Sequence, residues 1–188
     1  MKQFALFVSF VALSCTKETV DPVQKEMPGF AFVKVGNVST YITTFGGSVI
    51  DTSSTFEVLS ESENKYQILL KAAGITQPST LFTDGTWLFE YGINGSELNA
   101  SKLYKKDPEA GDTWQDISDG DTIISIVSSV NESITVAAGT FIVDRVASVE
   151  KGMNDTSFVY ISSENGIVKQ ELEAGGFSLK LELYEKNF

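Results

Sequence analysis

The stretch ITVAAGTFIVDRV at residues 134–146, followed after a polar turn by DTSFVYISSENGIVKQEL at residues 155–172, decides the fold. In both segments apolar and polar residues alternate, and a glycine interrupts each of them. Alternation with a period of two is typical of a β-strand with one buried face, and glycine marks a position where a strand bends or begins after a turn. We therefore predict that this region forms the middle of an antiparallel sheet.

Similar short runs follow one another from Phe30 to the C terminus, separated by Gly, Asn, Asp and Ser. Asn94-Gly95 is the strongest hairpin turn among them. No stretch of ten residues carries a helical stripe, although residues 79–82 could form one helical turn. The predicted strands occupy residues 38–43, 56–58, 66–71, 87–91, 103–104, 113–117, 123–130, 141–149 and 177–184.

Strands at this spacing without helices predict an all-β fold, an antiparallel meander that closes as a barrel, a half-barrel or a sandwich. The run at residues 141–149 has apolar residues on both faces: Phe141, Val143 and Val149 on one, Ile142 and Val146 on the other. A single sheet with one solvent-exposed face would carry apolar residues on the other face alone. We therefore expect a second apolar volume, enclosed by a curled sheet or lying between two sheets.

The residues before Thr16 predict a targeting signal. Lys2 precedes an apolar run at residues 4–13, which is too short to span a bilayer and has the length of a secretory signal core. The run ends in Ser14-Cys15 and resembles the lipobox of bacterial lipoproteins, although Ala12 stands where Leu is usual. The resemblance implies cleavage before Cys15 and lipid attachment to it, and Thr16 after the cysteine resembles the Gram-negative signal for the outer membrane.

The chain therefore divides into a signal peptide at residues 1–14, a lipidated Cys15 with a flexible tether to residue 29, and a single β domain at residues 30–188. The 14 basic and 25 acidic side chains give a net charge of −11. Such a surface repels phosphate backbones and anionic headgroups, which argues against nucleic acid as a partner. Membrane contact would come through the lipid alone, on the periplasmic or the cell-surface face.

Residues suited to catalysis are few. The sequence contains no His, which removes imidazole metal sites and Ser-His or Cys-His pairs. The carboxylate cluster of Asp112, Asp116, Asp119 and Asp121 lacks the residue order of an EF-hand, so we interpret it as a solvated turn. Glu57, Glu90 and Glu171 fall on the polar sides of predicted strands. We expect no metal, no cofactor and no enzymatic activity; a hydrolase that works with carboxylates alone is the alternative.

Four short motifs follow one another along the chain: VGN at 35–37 with Thr40-Tyr41, AGDTW at 110–114, VAAGTF at 136–141 and NGIVK at 165–169. They resemble the succession VGNxWxY, GDTW, VPAGTF and VGLVK of small, mostly uncharacterised lipoproteins and secreted proteins of Bacteroidetes-like bacteria, although Ser39 and Ala137 depart from it. The resemblance implies a β-rich envelope protein, distantly similar to the periplasmic lipoprotein-carrier group with its apolar concave sheet, and brings no catalytic residues.

Aromatic residues on neighbouring strands are the candidates for a binding surface. We expect Tyr41 and Trp114 to be core anchors first, and the set Tyr41, Trp87, Phe89, Tyr91 and Trp114 is the candidate lining of a concave apolar face. We therefore predict a non-enzymatic binding domain for a hydrophobic small molecule, a glycan or an envelope protein. A structural or assembly role in the envelope is the remaining alternative.

Overall fold

A computed structural model describes residues 25–72, 74–91, 100–118, 121–153 and 155–188. The predicted signal peptide, Cys15 and most of the tether lie outside these residues, and so does the Asn94-Gly95 turn. Within the described ranges, no helix is long and apolar enough to cross a membrane.

The secondary structure of the described residues consists of β-strands, as the sequence predicted. Residues 79–82, considered for a helical turn, belong to a strand, because Ser79 to Phe82 pair with Ile68 to Lys65 of the preceding strand. The strands are β1 (Glu26–Met27), β2 (Phe30–Lys34), β3 (Val38–Phe45), β4 (Ser48–Ser62), β5 (Lys65–Ala72), β6 (Ile75–Thr83), β7 (Trp87–Tyr91), β8 (Ala100–Lys105), β9 (Thr113–Ser118), β10 (Asp121–Val136), β11 (Gly139–Glu150), β12 (Thr156–Ser162), β13 (Gly166–Ala174) and β14 (Phe177–Lys186).

Strands β3 to β14 form one antiparallel sheet of 12 strands, in the order β8-β7-β6-β5-β4-β3-β14-β13-β12-β11-β10-β9. The chain enters the sheet in the middle at β3, runs outward to the edge strand β8, and crosses to the opposite edge strand β9. It then returns until β14 lies beside β3. Because only residues 106–112 connect β8 to β9, the two edges must lie close together, and the sheet is nearly closed into a barrel. Of the three closures that the sequence left open, the barrel is the one observed.

Side chains bridge the two edge strands at a place that we call the seam. The backbone N–H of Lys102 on β8 donates to Asp116 Oδ1 on β9 at 3.1 Å. The indole Nε1 of Trp114 donates to the backbone carbonyl of Lys102 at 2.9 Å. Both backbone groups of Lys102 are thus satisfied without a ladder between β8 and β9, which limits the exposed sheet edges.

The short strands β1 and β2 form a separate two-stranded sheet, which we call the plug. Met27, Phe30 and Val33 of the plug have 0% exposure, and they share one hydrophobic cluster with residues such as Leu81 and Val146 from both halves of the sheet. The plug therefore lies inside the curve of the sheet. This corrects the predicted limit of the tether at residue 29, because the packed fold already includes Glu26 and Met27.

Both faces of β11 carry buried residues, as the sequence predicted. Val146 belongs to the main cluster with the plug, whereas Val143 belongs to a second, smaller cluster around Tyr41, Tyr160 and Leu183. The tip of the β10–β11 hairpin reaches β14, where the Ala138 N–H donates to the Leu183 carbonyl at 3.2 Å. The second cluster forms where this hairpin tip packs on the sheet.

The turns of the meander alternate between the two ends of the sheet. We call the plug end the one with the turns at residues 35–37, 63–64 and 163–165; there Lys25 Nζ contacts Glu61 Oε1 at 3.1 Å and Asn64 Oδ1 at 2.8 Å. The far end carries the turns at residues 46–47 and 175–176. The chain enters the plug at the plug end, opposite the far end.

Candidate functional site

An apolar cavity of about 270 Å³ lies inside the sheet, between the plug and the far end. Its wall comes from the plug, from β3 to β8, and from β12 and β13. The lining residues are Phe32, Ser39, Tyr41, Phe56, Ile68, Leu70, Leu81, Leu88, Glu90, Leu103, Val159, Ile161, Gly166, Ile167 and Gln170. Most of these side chains are apolar, so the few polar groups among them decide which molecules fit.

Phe32 of the plug forms the floor of the cavity. Its ring lies against Gly166, where an added Cβ would come within 2.8 Å of the ring, and packs 6.0 Å from the ring of Phe56, centroid to centroid. Gly166 also has a φ of +71°, which side-chain-bearing residues rarely adopt. The Asn37 side-chain amide donates to the Phe32 carbonyl at 3.1 Å and so fixes the backbone of the plug at this point.

Tyr41 contributes a polar group to the wall, and it is the one predicted aromatic residue that lines this cavity. The side chain is 5% exposed, and its hydroxyl donates to the Ile167 carbonyl at 3.1 Å. Burial raises the pKa of Tyr41 to about 12, against the smaller opposite effect of the Ser39 side chain. The hydroxyl is therefore neutral at physiological pH, and its hydrogen is already donated to the Ile167 carbonyl.

Glu90 lies on the inner face of β7, not on the polar side that the sequence indicated. It is directly opposite Leu81 of β6, a fully packed core residue, and it lines the cavity with Leu88. The Ser79 hydroxyl donates to Glu90 Oε1 at 2.6 Å. The prediction for Glu90 was wrong because the other face of β7 carries three aromatic residues, which is typical of a buried face. These residues are Trp87, Phe89 and Tyr91.

Gln170 adds an amide on the opposite wall. It pairs with Leu181 of β14 and Val159 of β12, so its side chain lies among apolar neighbours on the inner face. Among the described residues, no hydrogen bond to the Gln170 side chain is seen. Gln170 lies several residues from the plug end of β13.

Trp87 and Trp114 lie together at the seam and not in the cavity wall. Their rings meet edge to face with centroids 5.2 Å apart, and Lys102 Nζ lies 4.9 Å from the Trp87 ring centroid. Trp114 is 6% exposed. The pair closes the barrel, which is the anchoring role that the sequence left open for Trp114.

Phe89 and Tyr91 pack on the opposite face of β7 from Glu90. Both stack on Phe82, each with centroids 4.7 Å apart, and Lys65 Nζ lies 5.4 Å from the Tyr91 ring centroid. The five predicted aromatic residues therefore occupy three places: Tyr41 in the cavity, the two tryptophans at the seam, and Phe89 with Tyr91 outside the sheet.

The predicted carboxylate cluster performs structural tasks. Asp112 forms an ion pair with Lys105 at 2.7 Å and accepts the Glu109 N–H at 2.9 Å, and these contacts, the backbone one first, lower its pKa. Burial raises the pKa of Asp116, which accepts from the backbone at the seam. Asp119 lies outside the described residues. Within the described part of the chain, no group of three or more His, Cys, Asp or Glu side chains could hold a metal ion.

A second depression of about 370 Å³ is polar. It is lined by Asp107, Asp144 and Glu164 among others, and the Tyr104 hydroxyl donates to Asp144 Oδ2 at 2.5 Å. Burial and the neighbouring Asp144 raise the pKa of Tyr104. This hydrogen bond links β8 to β11 across the interior, so Tyr104 and Asp144 have a structural role.

The far end of the sheet exposes large apolar residues at its hairpin tips. Val49, Ile75 and Phe177 are 60%, 69% and 64% exposed, and Phe177 stacks on Phe45 with centroids 5.6 Å apart. Exposed apolar residues of this kind often form a binding surface for a hydrophobic partner or ligand.

No protein-family model matches the sequence, and no curated protein matches it. Several solved structures share the fold, two of them from Bacteroides fragilis and Parabacteroides distasonis. A predicted exported protein with a YmcC-like fold from Bacteroides fragilis has a TM-score of 0.56 and 12% identity, covering 88% of this chain and 100% of that chain. A predicted lipoprotein from Parabacteroides distasonis has a TM-score of 0.52 and 12% identity, covering 87% of this chain and 100% of that chain.

At this identity the likeness establishes the fold. It agrees with the resemblance to Bacteroidetes envelope proteins seen in the sequence, since both neighbours come from that group of bacteria. The four-motif succession and the distant similarity to the lipoprotein-carrier group stay predictions.

Proposed function

We propose that this protein binds a small apolar ligand in its interior cavity while a lipid on Cys15 tethers it to the outer membrane. The observation that carries the proposal is the cavity of about 270 Å³ with a mainly apolar lining and a few polar groups. Ligand sites in proteins typically combine these properties.

The volume is too large for a packing defect. Protein interiors leave few voids larger than a water molecule. Because the plug half of the same interior is fully packed, a mainly apolar cavity of about 270 Å³ beside it favours an occupant.

The lining also favours a hydrophobic molecule over the other predicted ligands. The hydroxyls of a glycan would need hydrogen-bond partners that the wall offers at few positions. Glu90 is the one carboxylate among the lining residues, whereas glycoside hydrolysis uses a pair, which favours binding over the hydrolase alternative. The apolar hairpin tips of the far end support entry of the ligand from that side.

Filling the cavity tests the binding proposal. Leu70→Trp adds volume at the wall, and Leu69→Trp makes the same change at the next position of β5, which does not line the cavity. We expect Leu70→Trp to lower the affinity for 1-octanol at least tenfold and Leu69→Trp to leave it within about twofold. Equal affinity in both variants would exclude the cavity as the binding site.

The anchor has its own test. The comparisons support an envelope location, because one neighbour is a predicted exported protein and the other a predicted lipoprotein. Cells grown with radiolabelled palmitate should label the wild-type chain in the outer-membrane fraction and should not label Cys15→Ser. Equal labelling of the two chains would contradict lipid attachment at Cys15.

A further inference from the structure

We infer that the ligand carries a hydrogen-bond donor, an N–H or O–H group, at one end of its apolar body, and that Glu90 receives this group. The inference rests on the proposed function and specifies the chemical class of the ligand. Its basis is a carboxylate on the inner face of β7, with Leu81 directly opposite and Leu88 on the same face.

Glu90 accepts a hydrogen bond at one carboxylate oxygen, and among the described residues none reaches the other. The Ser79 hydroxyl donates to Oε1 at 2.6 Å, and no ion pair to Glu90 is formed among the described residues. A carboxylate accepts hydrogen bonds and donates none. Oε2 is therefore available to a donor that enters the cavity, where the neighbouring side chains of Leu81 and Leu88 offer it no hydrogen bond.

Gln170 completes the polar side of the site. Its amide can donate to an oxygen of the ligand or accept from a second N–H or O–H group. Like Glu90, it lines the cavity, whereas the floor at Phe32 and the walls at Ile68 and Leu81 are apolar.

The volume limits the size of the ligand. A cavity of about 270 Å³ suits a small molecule with a single chain of about eight carbons and one polar atom. A carboxylic acid of the same length is disfavoured, because its carboxylate would face Glu90 with like charge and no donor.

Three probes of matched length test the inference: n-octylamine, 1-octanol and octanoate. The full chain is embedded in nanodiscs, and binding is measured by equilibrium dialysis of the radiolabelled probe against empty nanodiscs as reference. We expect n-octylamine and 1-octanol to bind at least tenfold more tightly than octanoate. Comparing the amine with the alcohol shows whether charge adds to the hydrogen bond.

Glu90→Gln keeps the shape of the side chain and supplies a donor. We expect this variant to bind octanoate within about threefold of 1-octanol and to lose at least tenfold in affinity for n-octylamine. Glu173→Gln, which changes an exposed carboxylate of β13, serves as the matched control and should keep the wild-type order. Should Glu90→Gln fail to fold, Gln170→Glu adds a second acceptor to the wall and should increase the ratio of amine to octanoate affinity.

The outcomes separate this inference from the proposed function. Binding of all three probes with equal affinity, or a preference that survives Glu90→Gln, overturns the role of Glu90 and leaves the cavity as a binding site. Failure of all three probes to bind overturns the proposed function itself.

Discussion

The two halves of the barrel interior are built by the same strands and packed differently. In the plug half, Met27, Phe30 and Val33 have no exposure, and the Phe30 ring lies 6.2 Å from the ring of Tyr104, centroid to centroid. In the far half, Leu70 and Gln170 are partly exposed to an unfilled volume. The difference shows that the nine residues from Glu26 to Lys34, and not the sheet alone, determine where the cavity begins.

The largest expected effect is the loss of a plug side chain. Phe30→Ala should destabilise the protein by about 3–5 kcal/mol, because a fully buried aromatic ring leaves a cavity that its neighbours cannot fill. Leu70→Ala in the cavity wall should cost less than about 2 kcal/mol, since this side chain already lacks neighbours on one side. Urea unfolding of the two variants measures the difference. Equal losses would contradict the contrast between the halves.

A smaller effect is expected where the plug meets the sheet. Gly166→Ala should cost about 2–4 kcal/mol, because it strains a φ of +71° and places a methyl group 2.8 Å from the Phe32 ring. Gly47→Ala has a similar φ of +83° with open space around it and should cost about 1 kcal/mol. The additional loss of stability in Gly166→Ala, relative to Gly47→Ala, measures how firmly Phe32 is held at the floor of the cavity. Equal losses in the two variants would mean that Phe32 shifts freely.

Two carboxylates on or next to β9, Asp112 and Asp116, have pKa values shifted in opposite directions. The pKa of Asp112, near the plug end, is lowered below its ordinary 3.8. The ionised Asp112 therefore stabilises the fold at pH values above 3.8, and this stabilisation is lost as the pH falls through the lowered pKa. The pKa of Asp116, farther along β9, is raised above 3.8 by burial, so its contribution becomes more favourable as the pH falls through the raised value.

Unfolding of two variants between about pH 7 and pH 3 measures these opposite signs. Asp112→Asn should be less stable than the wild type near neutral pH, and the deficit should shrink as the pH falls. Asp116→Asn should be at least as stable as the wild type near neutral pH, and it should lose that advantage in acid. The same sign in both variants would contradict the assigned environments of the two carboxylates.

The smallest effect is expected outside the barrel. Phe89→Ala removes one ring from the stack with Phe82 and should cost about 1 kcal/mol, because the site is partly exposed. Binding of 1-octanol should stay within about twofold of the wild type, since Phe89 does not line the cavity. Dialysis measures the affinity, and a tenfold loss would show that the ligand binds to the outer aromatic stack.

Local patterns were enough to predict most of the sheet. The alternation in residues 38–43 and 66–71 predicts β3 and β5, and glycines 139 and 166 begin β11 and β13 as expected. Barrel closure was not decidable from these patterns, because it depends on the contact of β8 with β9 at the seam. The plug was missed because Met27 lies in a polar stretch with two prolines, which is typical of a tether.

The candidate site was predictable only in part. Tyr41 was predicted as one of the aromatic residues on neighbouring strands, and the structure places it in the cavity wall. Glu90 was assigned to the wrong face because three aromatic residues outweigh Leu88 and Glu90 in the pattern of β7. The aromatic face became the outer one when Phe82 supplied a stacking partner there, a tertiary contact that periodicity does not encode.

Native mass spectrometry of the full chain, purified gently from its own host, tests the central claim most directly. We predict a mass above that of the lipidated polypeptide that is retained without a covalent bond, present in the wild type and in Leu69→Trp and lost in Leu70→Trp. A wild-type chain that carries no such additional mass would contradict the claim that the far half of the barrel holds a ligand.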